Sequence, residues 1–545
     1  MIMPIIKIKS IKFGEIPFRK LRNLDITIAK RLTIIAGHNG IGKSTILGFL
    51  ANGSGLSTKD YTSYFNRAYQ GNFHEIVSLS SEFDLIKEPD KKPFSEISYD
   101  ISGNEVIKKC NVTGNPNRLR VVPRNEPKKE ISVSGIVIKR DGKVPAPTIY
   151  LGLSRLIPLG ETIPKHINTN IDSQINNEDS EYIRDVTKKI IDAGVQNKNL
   201  ITDQSIKGTK KTSKHPQYSY SSKAISLGQD SLSAIVTALA SFKKIKREMG
   251  ERYPGGILII DEIDVGFHPR AQSELIKILK SESRKLELQV IATSHSLTIL
   301  ENVIRSIDEI PADEESLDRI VYLQDTLNPF QQEKITWNRV KSDMLLIPEL
   351  PPEVKIYTED DEAEYFLKKI LDRKKNSKIK NETGVSLKII SAKMGCEVLK
   401  SLYGADDYFK SVVIVLDADC RFRGGRNTTE NILSLPSDPS STKPTVENIL
   451  HDFLKSIREK APQYPKIWKS LNNLNVTTDF IGANLIDDSV NFNKRDAAKN
   501  WFKAKKSEID RLSLVKLWAS ENQGRIDEFV KKLILAVKSV SQNAK

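Results

Sequence analysis

The sequence predicts an α/β protein of two domains, a larger one up to residue 346 and a smaller one from residue 353. Three observations carry this reading. A glycine-rich loop, Gly37-His38-Asn39-Gly40-Ile41-Gly42-Lys43-Ser44, sits between an apolar strand and a helical stretch. A second apolar run, Ile257-Leu258-Ile259-Ile260, ends in the paired acids Asp261-Glu262. Beyond the proline-rich segment 347–352, strands and helices begin to alternate afresh. A chain of 545 residues is long enough to bury more than one core.

Residues 1–36 read as strands: Leu24, Ile26 and Ile28 alternate with polar residues, and 32–36 is an apolar run. A helix is expected over 43–50, with Asn52-Gly53 ending it. Residues 60–147 read as mixed strands with basic turns. About 161–214 the chain turns polar, rich in Asn, Asp, Lys and Ser, with one helical segment near 182–193 and an exposed loop at 207–214. This stretch is expected to be an insertion that dimerises, contacts a partner, or is simply a surface excursion. A long helix follows Gly228, with Leu232, Ile235, Val236, Leu239 and Phe242 on one face. A strand at 256–260, a helix near 272–284 and a strand at 288–293 complete the first domain, which ends near Met344. Residues 347–352 form a linker, since prolines this dense continue neither a helix nor a central strand. Strands at 354–358, 387–391 and 412–416, with helices near 362–371 and 397–403, predict a smaller parallel α/β domain over 353–545 with a mostly helical C-terminal part.

Composition narrows the class. Hydrophobic residues at 39% and charged residues at 28% fit a folded globular chain and exclude wholesale disorder. No apolar run reaches the length of a membrane-spanning helix, and the start of the chain lacks a basic-then-apolar leader, so a cytoplasmic protein without membrane partners is expected. Cys110, Cys396 and Cys420 show no paired spacing, which fits a reducing compartment and offers no zinc site. A net charge of +15 suits a polyanionic partner such as nucleic acid, and equally an ordinary basic soluble protein.

The glycine-rich loop has the residues of a phosphate cradle. Its glycines, Gly40 and Gly42 among them, let backbone N–H groups of residues such as Asn39, Ser44 and Thr45 turn toward an anion, and the following helix N-terminus adds partial positive charge. Lys43 is expected to reach the β- and γ-phosphates of ATP and Ser44 to ligate Mg²⁺. At the end of the second apolar run, Asp261 suits the Mg²⁺ shell and Glu262 the base that activates water.

The run Asp261-Glu262-Ile263-Asp264-Val265-Gly266-Phe267-His268-Pro269 resembles that of SMC-like and OLD-like ABC ATPases. Thr293-Ser294-His295-Ser296 looks like their switch histidine, which implies that His295 senses the γ-phosphate. Ser226-Leu227-Gly228-Gln229-Asp230 resembles the signature element, with Leu227 where a glycine would stand. In such heads this element closes over the ATP of the opposite subunit, so the resemblance implies a homodimer or higher homo-oligomer, with Ser226, Gly228 and Gln229 as nucleotide contacts. Ser226 also reads as a plain helix N-cap.

In the smaller domain, one strand ends in Glu359 and another in Asp417-Ala418-Asp419. Parallel strands share a C-terminal edge, where these carboxylates would converge; a divalent cation relieves their repulsion, and oxygen ligands suit Mg²⁺ or Mn²⁺. This arrangement resembles a TOPRIM domain. Behind an ABC/SMC-like ATPase head with an insertion, it resembles the OLD family across nearly the whole chain. The resemblance implies Glu359, Asp417, Asp419 and Glu447 as metal ligands, and Lys494 or Lys499 as the lysine at the phosphate. The chain departs from the family in carrying Ala363 where a second acid stands, leaving Asp361 or Glu362 to take that place or merely to favour a helix N-terminus. The loop Cys420-Arg421-Phe422-Arg423-Gly424-Gly425-Arg426 suits a nucleic-acid backbone or is a solvated turn. The function implied is an ATP-regulated, metal-dependent DNA endonuclease of anti-phage defence. Some relatives work beside a reverse transcriptase and its retron DNA. The alternative is a nucleotide-gated nucleic-acid-binding scaffold or sensor.

Overall fold

The computed structural model describes residues 3–56, 61–85, 93–115, 118–192, 194–311, 314–347, 352–420, 431–437 and 443–543. The chain divides into two units, Met1–Glu349 and Leu350–Lys545, the division falling inside the proline-rich segment.

Unit 1 contains, in order, β1 (Ile6–Phe13), β2 (Leu24–Thr27), β3 (Leu32–Gly37), α1 (Lys43–Gly53), β4 (Ser95–Ile101), β5 (Asn104–Asn115), β6 (Arg118–Glu126), β7 (Ile131–Val133), β8 (Ile136–Ile138) and β9 (Thr148–Leu151). It continues with β10 (Ile167–Ile171), α2 (Asn177–Ile190), β11 (Ile201–Ile206), β12 (Lys210–Pro216), α3 (Leu227–Met249), β13 (Gly256–Ile260), α4 (Pro269–Lys285), β14 (Leu288–Thr293), α5 (Leu297–Asp308), β15 (Asp318–Gln324), β16 (Phe330–Gln331) and α6 (Trp337–Met344). The central sheet has the order β16-β15-β3-β14-β13-β9 and is parallel apart from β16. Its inner strands read as unbroken apolar runs because both faces are covered. Ile34, Ile260 and Val290 face a core shared with Leu239, Leu275 and Leu300 of α3, α4 and α5. Ile35, Ile259 and Ile291 face a second core with Leu47 and Phe49 of α1 and the antiparallel sheet β2-β1-β4-β5-β6.

The polar stretch 161–214 departs from the sequence expectation. Its helix starts at Asn177, because the Asn176 side chain caps it by accepting from the Asp179 backbone N–H. It also contains a three-stranded sheet, β10-β11-β12, that polarity concealed. The expected loop at 207–214 is exposed only at residues 207–209; from Lys210 onward it is strand β12, with Lys210, Ser213, Lys214 and His215 buried. The lysines can be buried there because carboxylates meet them: Lys210 pairs with Asp230, and Lys214 with Asp172 and Asp203 at 2.6 Å each.

Unit 2 is built on a parallel sheet, β18-β17-β19-β20, from β17 (Glu353–Thr358), β18 (Ser386–Ser391), β19 (Val413–Leu416) and β20 (Ile432–Ser434). Helices α7 (Asp361–Ile370), α8 (Arg373–Thr383) and α9 (Cys396–Ala405) lie between the strands in sequence. After β20 come α10 (Val446–Glu459), α11 (Pro465–Asn472), α12 (Thr478–Asn484), α13 (Arg495–Arg511), α14 (Leu514–Glu521) and α15 (Gln523–Asn543). Ile356 and Val415 of the sheet share a core with Phe366, Leu450, Phe502, Trp518 and Leu533 of α7, α10, α13, α14 and α15.

Candidate functional site

In unit 1 the glycine-rich loop leaves β3 and enters α1 with Gly37, Gly40 and Gly42 at φ 141°, 74° and 105°. A Cβ on Gly37 would stand 2.2 Å from the Leu323 carbonyl oxygen, and one on Gly42 2.8 Å from Leu21, so packing as well as backbone geometry selects glycine at both. The loop folds over a cavity of about 340 Å³ lined by Asn39, Gly40, Gly42, Lys43, Ser44 and Thr45, with Asp261, Glu262 and His295 opposite. Phe18, Arg19, Lys20 and Leu21 close its remaining side.

Several polar groups at this cavity are held by specific contacts. Lys43 Nζ donates to the carbonyls of Gly37 (2.9 Å) and His38 (3.0 Å). Burial pushes its ammonium down to about 8, against the opposing pull of Asp261, Glu262 and Asp264. Asp261 is buried; its carboxylate accepts from Thr293 Oγ1 at 2.6 Å and from the Tyr150 hydroxyl at 3.5 Å. The Glu262 backbone N–H donates to the same Thr293 Oγ1 at 2.7 Å, and Glu262 itself sits at φ 50°. Buried Arg155 donates to the Glu262 carbonyl at 2.6 Å and to Ser231 Oγ of α3 at 3.2 Å. The His295 backbone N–H donates to Asp264 at 3.2 Å; burial and the charge of Lys43 hold its imidazole below the usual histidine range. A cradle of backbone amides, an ammonium and two acids at a strand end is chemically suited to a triphosphate with its divalent cation.

Ser226, Gly228 and Gln229 do not line this cavity. Ser226 caps α3 in a reciprocal capping box: its hydroxyl accepts from the Gln229 N–H, and the Gln229 side chain accepts from the Ser226 N–H at 2.9 Å. A Cβ on Gly228 would lie 2.3 Å from the Gly266 carbonyl oxygen, so this glycine lets the helix start pack against the loop after Asp261. Tyr150, Arg155 and residues 18–21 are not singled out by the sequence, since no spacing distinguishes them from ordinary core and loop positions, and Thr293 enters there only as the first residue of the run that holds His295.

In unit 2 the edge formed by the C-terminal ends of β17 and β19 gathers acids. Glu359 is buried; one of its oxygens accepts the Asp417 N–H at 2.8 Å and the other the Cys396 N–H at 3.1 Å. Asp417 is buried with Oδ1 lacking a hydrogen-bond partner among the described residues. Burial, reinforced by Asp360, Glu359, Asp419 and Glu447, pushes its carboxyl up to about 8. Burial likewise raises Glu359, with Asp419 and Asp360 adding to the effect, and raises Glu447, which is buried in the first turn of α10. Asp419 is exposed at the rim.

Cations from α13 meet these acids. Arg495 Nη2 lies 3.3 Å from Asp360, 3.8 Å from Asp417 and 3.9 Å from Glu359, so one nitrogen marks where three carboxylates converge. Lys499 Nζ lies 2.5 Å from Asp360 and 3.4 Å from Glu362. Lys494 is the N-cap position of α13 and makes no ion pair among the described residues; the helix turns Arg495 and Lys499, four apart, toward the acids instead. Asp360 caps α7 by accepting from the Ala363 N–H at 3.0 Å, Asp361 pairs with Lys393 at 3.5 Å, and buried Glu362 joins Lys499. The loop residues 421–426 lie outside the described residues.

The fold brings together two cysteines whose spacing in the sequence shows no pairing: Cys396, at the start of α9, and Cys420, three residues beyond Asp417, lie side by side with a Cα–Cα distance of 6.3 Å, within reach of a disulfide. The shared sheet edge brings them together across a separation of 24 residues. Their sulfurs and a Glu359 oxygen all lie within 4.8 Å of one another. Cys110 is free and buried.

Residues 152–301, which include Ser226, Asp261, Glu262 and His295, match a family described as "AAA domain, putative AbiEii toxin, Type IV TA system". No curated protein matches the chain in sequence. Among solved structures the chain is similar to the SMC head domain from Thermotoga maritima, at 13% identity over 61% of this chain and 100% of that one, with a TM-score of 0.32. It is also similar to an Smc head domain with an extended coiled coil bound to the C-terminal domain of ScpA derived from Pyrococcus furiosus, at 13% identity over 63% of this chain and 99% of that one, with a TM-score of 0.33. No described helix is long and apolar enough to cross a membrane. The family match over residues 152–301, joined to a phosphate-loop cavity on a parallel sheet, supports an ATPase domain in unit 1.

Proposed function

We propose that the protein is an ATP-regulated, divalent-metal-dependent DNA endonuclease, with the nucleotide site in unit 1 and a TOPRIM-like cleavage site in unit 2. The observation that carries the nuclease half is the burial of Asp417 beside Glu359, Asp360 and Glu447 with one oxygen unpartnered. Buried carboxylates that repel one another fit a divalent cation, and an all-oxygen donor set suits Mg²⁺ or Mn²⁺. Glu359, Asp417, Asp419 and Glu447 would hold it, and it would supply Lewis-acid charge for phosphodiester hydrolysis.

The chain's own residues do the rest. The backbone N–H groups of Asp417 and Cys396 fix both oxygens of Glu359, so its carboxylate is preorganised. Arg495 is about half exposed and is free to turn from the acids to a phosphate oxygen, leaving the carboxylates to the cation. Lys499, more enclosed, pairs with Asp360 and Glu362 and, against the effect of burial, holds the Asp360 carboxyl below its usual range. In unit 1, Lys43 neutralises the β- and γ-phosphates, Ser44 and Asp261 hold Mg²⁺, and Glu262 accepts the proton of the attacking water. Ser226, Gly228 and Gln229 serve the ATP of a second copy, which makes the active species a homodimer or larger homo-oligomer.

A defence role is part of this proposal. It is supported by the toxin description of the matched family and by the OLD resemblance of the motifs. A reverse transcriptase with its retron DNA is the partner that resemblance suggests. Two observations favour the second reading, a nucleotide-gated scaffold with an idle cleavage site: Ala363 stands where an acid is expected, and Arg495 and Lys499 already lie against Glu359, Asp360, Glu362 and Asp417. Incubating the full chain with supercoiled plasmid and Mg²⁺ or Mn²⁺, with and without ATP, beside Asp417→Ala decides between them. Nicking by the wild type that disappears in the variant supports the nuclease. Absence of cleavage under every condition supports the scaffold.

A further inference from the structure

Unit 1 has a second polar cavity, of about 270 Å³, that shares no lining residue with the phosphate-loop cavity. Its wall is formed by the segment 63–75, by Thr148, Ile149 and Tyr150 of edge strand β9, and by Lys211 of β12. Three of its polar side chains are short of partners. Lys211 and the Gln70 carboxamide make no hydrogen bond or ion pair with any other described residue. Arg67 has only Glu75, at 3.7 Å, which is beyond hydrogen-bonding distance.

Lys211 is partly enclosed, and burial lowers its ammonium, with Arg67 adding to the effect and Glu75 opposing it. Two cations facing one another across a cavity, with a single carboxylate that Asn72 already engages at 3.0 Å, leave a net positive hollow lined by hydrogen-bond donors. A half-buried ammonium that makes no ion pair gains from an anion that completes it. The size of the hollow and the fork of the guanidinium suit a tetrahedral oxyanion.

We infer that this cavity binds a phosphate group, held by Lys211, Arg67 and Gln70, at a site separate from the phosphate loop. Tyr150 is common to both surroundings: it lines this cavity, and its hydroxyl donates to Asp261 at 3.5 Å. The phosphate belongs either to a free nucleotide or to a nucleic-acid strand.

The full chain is first saturated with a non-hydrolysable ATP analogue and Mg²⁺, so that the phosphate loop is filled. It is then titrated separately with AMP and with a fluorescent single-stranded oligothymidylate. The wild type binds at least one probe, and Lys211→Gln and Arg67→Gln each weaken that binding about tenfold or more, as expected for the loss of a charge-assisted contact. Lys211→Arg retains most of it. Binding of AMP alone assigns the site to a free nucleotide; binding of the oligonucleotide alone assigns it to a strand. Arg67 is exposed, so its variant decides the matter where Lys211→Gln fails to fold. Equal binding by wild type and the Gln variants, or no binding of either probe by the wild type at 1 mM (roughly −4 kcal/mol), overturns the inference.

Discussion

Replacing Asp417 with Asn tests the carboxylate cluster through protons, independently of any cleavage. Burial and neighbouring acids raise the Asp417 carboxyl from 3.8 to about 8. At pH 6.5 such a group is protonated by a ratio of roughly 30 to 1, since each pH unit is a factor of ten. A divalent cation requires the carboxylate, so binding expels that proton. Titration of nucleotide-free protein with Mg²⁺ in two buffers of different ionisation enthalpy counts the protons released. The expected result is close to one proton per bound ion at pH 6.5, about a tenth of one at pH 9, and none attributable to this position in Asp417→Asn. Apparent affinity should rise about tenfold per pH unit between pH 6 and 7 and level off above 8. Stability follows the same linkage. With the folded value above the unfolded one, the metal-free protein holds a proton that the unfolded chain gives up, so its stability falls as pH rises from about 4 to about 8. The limiting size, four pH units at about 1.4 kcal/mol each, is on the order of 6 kcal/mol, and Asp417→Asn removes that share of the slope. No proton release by the wild type at pH 6.5, or undiminished release in the variant, would refute the reasoning.

Lys43→Ala removes the ammonium that faces the phosphate-loop cavity and should weaken ATP roughly 10- to 100-fold, from the value of charged hydrogen bonds, in a fluorescent-nucleotide titration. Glu262→Gln should still bind ATP but hydrolyse it about 10²- to 10⁴-fold more slowly in a phosphate-release assay; unchanged turnover would remove Glu262 as the base. Oxidised protein should protect Cys396 and Cys420 from alkylation until reduced, as read by mass spectrometry, while buried Cys110 stays unreactive in the folded state; alkylation of both without reductant would deny the pairing. Lys210→Met leaves buried Asp230 unpaired and should lower stability by about 3–5 kcal/mol in denaturant unfolding, with Lys210→Met/Asp230→Leu recovering most of it.

The two sites were legible in the sequence to different depths. Around the phosphate loop, local spacing carries the chemistry: the loop must follow a strand and open a helix, and Lys43, Ser44, Asp261, Glu262 and His295 all line one cavity. Illegible there were the groups that aim these residues. Thr293 reads as the last residue of an apolar strand, yet its hydroxyl fixes the Asp261 side chain and the Glu262 backbone together. Tyr150 and Arg155 lie more than 100 residues from Asp261 and Glu262, and only the strand pairing β9-β13 brings them alongside. In unit 2 the acids at strand ends are visible in sequence, whereas the cation that reaches them depends on the rotation of a helix. Lys494 and Arg495 are adjacent in the chain, and the phase of α13 selects the second.

The stretch 161–214 shows why polarity alone misleads. Its lysines suggested a solvated loop, because a charged side chain without a partner belongs in water. Lys210 and Lys214 instead sit in β12 with Asp230, Asp172 and Asp203, each partner contributed by a different part of the chain. Asp230 is the residue that follows Gln229 in the capped start of α3. The stretch 161–214 is therefore pinned by a buried ion pair to Asp230, the last residue of the element proposed to meet the ATP of a second copy.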